Sequence, residues 1–264
     1  MKKQSFSAGA LLLTGGLLCS GISAQAASVV VSENFDGLTG SGYNPGTSID
    51  GQGGWVKNLG SVNVRNDFTT GSFDGNVAYS KNSSGHAYRH DGNAYLTSAT
   101  TTLTFELSAR IGTRFSRAGL AYFDGTSINP GFYFGAGREK GWAVYLGSGT
   151  GGGIEIASST DGYYTADGVD LRLTIDLTNE TGTFEYKDSG GTWQTPTGMT
   201  DFDFSALDTN ASDGKNPLNW DSLYIRNALS GDTVDNLSFT AVPEPSSATL
   251  LGLSGLALVL RRKR

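Results

Sequence analysis

The chain has 264 residues, 38 of them glycine and 6 proline, with 25 acidic against 19 basic side chains and a net charge of −6. No long basic patch interrupts that balance, which argues against a nucleic-acid partner. One cysteine and two histidines exclude a disulfide framework and leave few nucleophile–base pairs.

The N-terminus opens with Met1-Lys2-Lys3, continues with an apolar stretch from Ala8 to Leu18, and reaches Ala24-Gln25-Ala26. A positive start, a short apolar segment and a small-x-small site form a signal peptide, here residues 1–26, with cleavage at Ala26 or Ala27. The apolar stretch is too short to cross ~30 Å of hydrocarbon. The lone cysteine, Cys19, falls inside this segment and follows Leu18, where lipidation wants a small residue. The mature protein therefore carries no thiol. Without the two end segments, 13 basic and 24 acidic side chains remain, a net charge near −11. Such a surface favours solubility and suits divalent cations.

The body, residues 27–241, is long enough to bury one sizeable core. Asp-Gly occurs eight times, at Asp36, Asp50, Asp74, Asp91, Asp124, Asp161, Asp167 and Asp213. Each marks a turn, because glycine accepts positive φ and aspartate tolerates it. Between these turns lie strand candidates at Val29–Phe35, Val62–Arg65, Val77–Ser80, Gly119–Phe123, Phe132–Phe134, Trp142–Leu146, Ile154–Ala157, Thr183–Lys187, Leu223–Arg226 and Leu237–Ala241. Two longer segments alternate cleanly: Leu103, Phe105, Leu107, Ala109 and Ile111, then Val169, Leu171, Leu173, Ile175 and Leu177. A period of two puts one set on a core face and the other in solvent. About a dozen strands with turn signals between them predict an all-β, antiparallel two-sheet jelly-roll sandwich. Three short motifs, Glu33-Asn34-Phe35-Asp36, Gly53-Gly54-Trp55 and Val234-Asp235-Asn236-Leu237-Ser238-Phe239, resemble those of concanavalin-like (laminin-G-like) jelly rolls, which implies the same architecture.

Chemistry is sparse. His86 and His90 sit in a Gly-rich stretch ending in a turn. On a strand they would lie about 13 Å apart, too far to share zinc, and they read as ordinary loop histidines. Gly149 to Gly153 lacks the Lys-Ser/Thr of a phosphate loop and reads as a hairpin turn. Laminarinase-like glycoside hydrolases share the jelly roll and carry a signature of the form E-x-D-x-x-E. The nearest stretch here, Glu155 to Thr160, keeps only its first carboxylate, and glycoside hydrolysis needs two. A catalytic role is not expected. Tyr133, Tyr145 and Tyr224 alternate with apolar neighbours and would turn away from the core, where aromatic rings can stack on polysaccharide. If the first and last strands pair, Glu33 and Asp36 approach Asp235 and Asn236. Asp235 shares parity with Leu237 and Phe239, so a regular strand would turn it inward. A buried carboxylate needs a partner, and structural Ca²⁺ would take several such oxygens.

Ala241 to Ser247 reads as a linker. The chain then closes with Val242-Pro243-Glu244-Pro245, an apolar segment 248–260 and the cluster Arg261-Arg262-Lys263-Arg264. As a helix the apolar segment reaches about 20 Å and would cross a bilayer only marginally, with the basic cluster staying cytoplasmic. This order of motif, apolar helix and basic tail closely resembles the PEP-CTERM sorting signal. The resemblance implies processing by signal peptidase and then by an exosortase, transient anchoring in the membrane, and delivery to the bacterial cell envelope or matrix. The expectation is an exported, non-catalytic sandwich that binds polysaccharide. A carbohydrate-active enzyme or a purely structural matrix protein are the alternatives.

Overall fold

The computed structural model describes residues 28–41, 46–67, 71–73, 75–80, 85–110, 115–137, 141–147, 153–161, 168–227 and 232–243. The signal peptide with Ala24, Ala26 and Ala27, the motif residues Glu244 and Pro245, the segment 248–260 and the basic tail lie outside them. Among the described residues no helix is long and apolar enough to cross a membrane.

The described residues form an antiparallel two-sheet jelly roll of sixteen strands. One sheet runs β14 (Phe202–Asp203), β13 (Thr181–Asp188), β12 (Val169–Asp176), β7 (Thr100–Arg110), β16 (Thr233–Pro243), β5 (Val77–Tyr79), β4 (Asn63–Arg65), β2 (Thr47–Ser48), with β1 (Ser28–Glu33) also pairing with β16. The other runs β11 (Ile154–Ser159), β10 (Gly141–Leu146), β9 (Ile128–Gly137), β8 (Phe115–Phe123), β15 (Ser222–Asn227), β6 (Gly85–His90), β3 (Trp55–Leu59).

The two alternating sequences become β7 and β12, paired residue for residue from Val169 opposite Ala109 to Asp176 opposite Thr102. Leu171, Leu173 and Ile175 are fully buried. Arg172 and Asp170 on the other face pair with Glu185, at 2.7 Å, and Lys187, at 3.2 Å. The core between the sheets is aromatic. Phe105 meets Phe132 and Phe134 edge-on at 6.0 and 5.7 Å, and Phe132 meets Trp220 at 5.0 Å, geometries that suit the ring quadrupoles.

The first and last strands do pair, from Ser28 opposite Ala241 to Glu33 opposite Leu237. Two expectations need correction here. Ala241 to Pro243 is not linker: these residues complete β16, with Val242 opposite Thr102 and Ala241 buried. Proline at the strand end costs little, since its missing N–H would donate to no further partner. Nor does Asp235 face the core. Asp235 and Ser238 stand opposite Ser108 and Glu106, so β16 carries one extra residue there, and Asn236 takes a left-handed φ of 51°. This bulge turns Asp235 onto the side of Ser108 while Leu237 and Phe239 return to the core.

Four strands had no sequence signal: β2, β3, β6 and β14. His86 and His90 accordingly belong to a strand, β6, and not to a loop.

Candidate site on the outer face of the seven-stranded sheet

Alternation in β9, β10 and β15 sends Phe132, Phe134, Trp142, Val144, Leu223 and Ile225 into the core. The intervening Tyr133, Tyr145 and Tyr224 turn to the opposite face and form a separate cluster with Ala121, Ile128 and Ala143. The register aligns them. Tyr88 stands opposite Tyr224, Tyr224 opposite Gly119, Gly119 opposite Tyr133, Tyr133 opposite Tyr145, and Tyr145 opposite Glu155. One transverse row thus crosses six strands. At about 4.8 Å per strand, the tyrosines from β6 to β10 span roughly 19 Å. Tyr133 and Tyr145 stack at 5.2 Å and 13°, and Tyr133 lies 6.1 Å from Tyr224.

Gly119 permits this row. A Cβ there would run into the Phe132 carbonyl oxygen and stand 2.6 Å from the Tyr133 Cα. Any side chain would force β8 and β9 apart.

The tyrosines face away from the core as expected, but they are not open platforms. Tyr133, Tyr145 and Tyr224 are 1, 8 and 2% exposed. Guanidinium groups lie on them: Arg117 is 4.6 Å from the Tyr145 ring centre and 5.5 Å from that of Tyr133, and Arg226 is 5.4 Å from Tyr133. Alternation alone gives a side chain's direction; long neighbours at diagonal positions decide whether it stays open. Arg226 donates to the Tyr133 hydroxyl at 3.0 Å, and the Tyr145 hydroxyl donates to Glu155 at 3.1 Å. Burial lifts the Tyr145 phenol to about 12, against the pull of Arg117, and lifts Tyr224 as well. The half-buried aromatic surface at this face belongs instead to Tyr88 and Phe123, stacked at 5.7 Å. Reading Gly85–His90 as a loop concealed Tyr88; a strand assignment with Tyr88 between Ala87 and Arg89 would have exposed it.

A neighbouring row on the same face runs His86, Arg226, Arg117 and Gly135, each opposite the next. His86 shares a 3.1 Å hydrogen bond with the Tyr224 hydroxyl. Burial first, then the charges of Arg226 and Arg117, push its imidazole down to about 4. Two like charges directly opposite on paired strands work against stability.

Farther along β6 and β15, His90 Nδ1 lies 3.3 Å from the Ser222 Oγ and 3.5 Å from Asp221 Oδ1, and Ser222 donates to Asp221 at 2.8 Å. A hydrolytic triad places hydroxyl and carboxylate on different imidazole nitrogens. Here all three meet at one nitrogen, Ser222 is fully buried, and Asp221 also accepts from the Phe123 N–H at 3.0 Å. The group ties three strands together.

The four oxygen-bearing residues expected around Ca²⁺ are engaged separately. Glu33 accepts from Trp55 at 3.1 Å and from Arg89 at 2.6 Å. Asp36 accepts from the Asn76 N–H at 2.8 Å, and Asn236 donates to Ser72 and Ser108. Asp235, fully buried, accepts from the Asn236 N–H at 2.8 Å. Among the described residues no three His, Cys, Asp or Glu side chains converge as metal ligands. Away from this face, a cleft of ≈ 470 Å³ opens beside the ends of β7 and β12, with Thr97, Thr100, Glu180, Asp208 and Pro217 on its walls.

Comparison with curated proteins gives no significant match. Among solved structures the chain is similar to lectin II from Ulex europaeus, with 14% identity, a TM-score of 0.45, and coverage of 81% of this chain and 99% of that one. It is also similar to the globular domain of T. cruzi calreticulin, with 12% identity, a TM-score of 0.46, and coverage of 80 and 88%. A third is a conserved carbohydrate esterase from Shiga toxin-encoding bacteriophage phi24B, with 14% identity, a TM-score of 0.42, and coverage of 82 and 99%. At the C-terminus, residues 241–264 match the PEP-CTERM protein-sorting motif, the address of an exported, exosortase-sorted protein of the cell surface.

Proposed function

We propose that this chain is an envelope or matrix protein whose sandwich binds extracellular polysaccharide along the outer face of the seven-stranded sheet. The observation that carries the reading is the transverse aromatic row, Tyr88, Tyr224, Tyr133 and Tyr145, held in register across β6, β15, β9 and β10. Tyr88 and Phe123 offer ring faces for sugar C–H surfaces, and the polar caps on the buried tyrosines offer donors for sugar hydroxyls. The lectin and carbohydrate-esterase names among the similar structures accord with a glycan ligand.

The sorting motif supports passage through signal peptidase and then an exosortase, with the apolar segment 248–260 in the membrane until the tail is removed. Intact-mass analysis of envelope material tests this half. The mature species should lack everything before Ala27 or Ser28 and lack Arg261–Arg264; full-length chain in the cytosol would contradict it. A glycan array on the protein purified from the envelope tests the other half. Retention of polysaccharide that falls in Tyr88→Ala supports the reading, and no retention of any glycan sinks it.

A further inference from the structure

The row takes its ligand beside two guanidinium groups, and this points to the ligand's charge. Arg226 on β15 stands opposite Arg117 on β8. Both lie on the Tyr133 ring, and Arg226 bonds its hydroxyl. Both side chains are half-buried, so water screens them less than it does surface arginines. Burial holds the Arg117 guanidinium below its ordinary value, and Arg226 pushes the same way. His86 stands opposite Arg226, and burial together with both guanidiniums keeps its imidazole neutral. All this sits on a protein with a net charge of −6, whose overall field repels anions. A positive spot maintained on an acidic protein, at the cost of opposing like charges, fits a ligand that brings negative charge to that spot.

We infer that the polysaccharide bound along the tyrosine row is acidic, its anionic groups held between Arg226 and Arg117 while its rings lie over Tyr88 and Phe123. The inference rests on the binding reading above and adds the chemical class of the ligand. Guanidinium forks match the two oxygens of a carboxylate or the oxygens of a sulfate ester. Glu155, at the far end of the row and bonded to Tyr145, would repel an anion placed over β10 and β11. Because Arg117 itself reaches over Tyr145, the anion sits on the Arg226 side of Arg117.

The test is affinity electrophoresis of the full, processed protein in gels containing polygalacturonate, dextran sulfate or neutral dextran, at low and high salt. Retardation by one of the two anionic polymers, about tenfold tighter than by dextran and weakened by salt, is expected; whichever polymer binds tighter identifies carboxylate or sulfate. Arg226→Gln should remove that preference. Arg226→Lys, which keeps the charge but not the fork, should restore only part of it. The melting temperature of each variant separates lost binding from lost fold. If neutral and anionic polymers bind equally and Arg226→Gln changes nothing, the acidic-ligand inference is overturned while the binding reading stands. If no polymer binds, the binding reading fails and takes this inference with it.

Discussion

Strands β12 and β10, one from each sheet, bury their residues in opposite styles. In the nine-stranded sheet, β12 alternates strictly between buried and half-buried residues, and its solvent face carries a lattice of charges: Arg172 with Glu185 and Glu106, Lys187 with Asp170, and both cations over Trp193 at 4.1 and 4.8 Å. In the seven-stranded sheet, β10 is buried at every position. Its second face packs tyrosines, a neutral histidine and two arginines into a layer of its own. A sheet with one wet face can satisfy its outer side chains with water and surface pairs, each worth little. A strand whose outward side chains are also buried must satisfy their polar atoms internally, and loses more when one partner is removed.

The contrast should break most sharply at Gly119. Gly119→Ala places a methyl group against the Phe132 carbonyl and the Tyr133 Cα, so β8 and β9 must separate. A loss of about 3 kcal/mol or outright misfolding is expected, read from the urea midpoint. An unchanged midpoint would show that the outer layer is loosely packed and tolerates expansion.

Next in size is a pH effect. The folded-state pKa of His86, about 4, lies below its unfolded value near 6.5, so on acidification the unfolded chain takes up the proton first. Stability from the neutral imidazole is complete above about pH 6.5 and is lost as pH falls toward 4. The loss approaches about 1.4 kcal/mol per pH unit inside that window. His86→Gln should flatten the melting temperature between pH 6.5 and 4.5. An identical slope in the variant would assign the effect elsewhere.

A matched pair of substitutions sharpens the comparison further. Tyr224→Phe removes a buried hydroxyl bonded to His86 and should cost about 1–2 kcal/mol. Tyr186→Phe in the nine-stranded sheet removes a hydroxyl that bonds Gln194 near solvent, at 3.1 Å, and should cost less than about 0.5 kcal/mol. Equal losses by chemical denaturation would erase the distinction between the sheets. A loss below that of Tyr224→Phe is expected at Arg172→Ala. Despite three neighbours that its guanidinium meets, it sits on the wet face, and about 0.5–1 kcal/mol is expected, diminishing as salt is added.

The sequence alone determined the C-terminal sorting motif and the wet-faced strands. The sorting motif at residues 241–264 is a linear pattern read without folding, and β7 and β12 announce themselves because a strand half in water must alternate. The pairing of the first and last strands was also legible, as was the face to which Tyr133, Tyr145 and Tyr224 turn. Tertiary structure decided the rest. β6 carries no clean alternation, because His86, Tyr88 and Arg89 all find partners among side chains from distant strands. The bulge at Asn236 turned Asp235 away from the face its parity assigned, since one extra residue reverses every face beyond it. Whether the tyrosines stay open depended on Arg117 and Arg226. The three elements that bring them together, β8, β9 and β15, meet only across the register of the folded sheet, and register arises from packing between strands far apart in the chain.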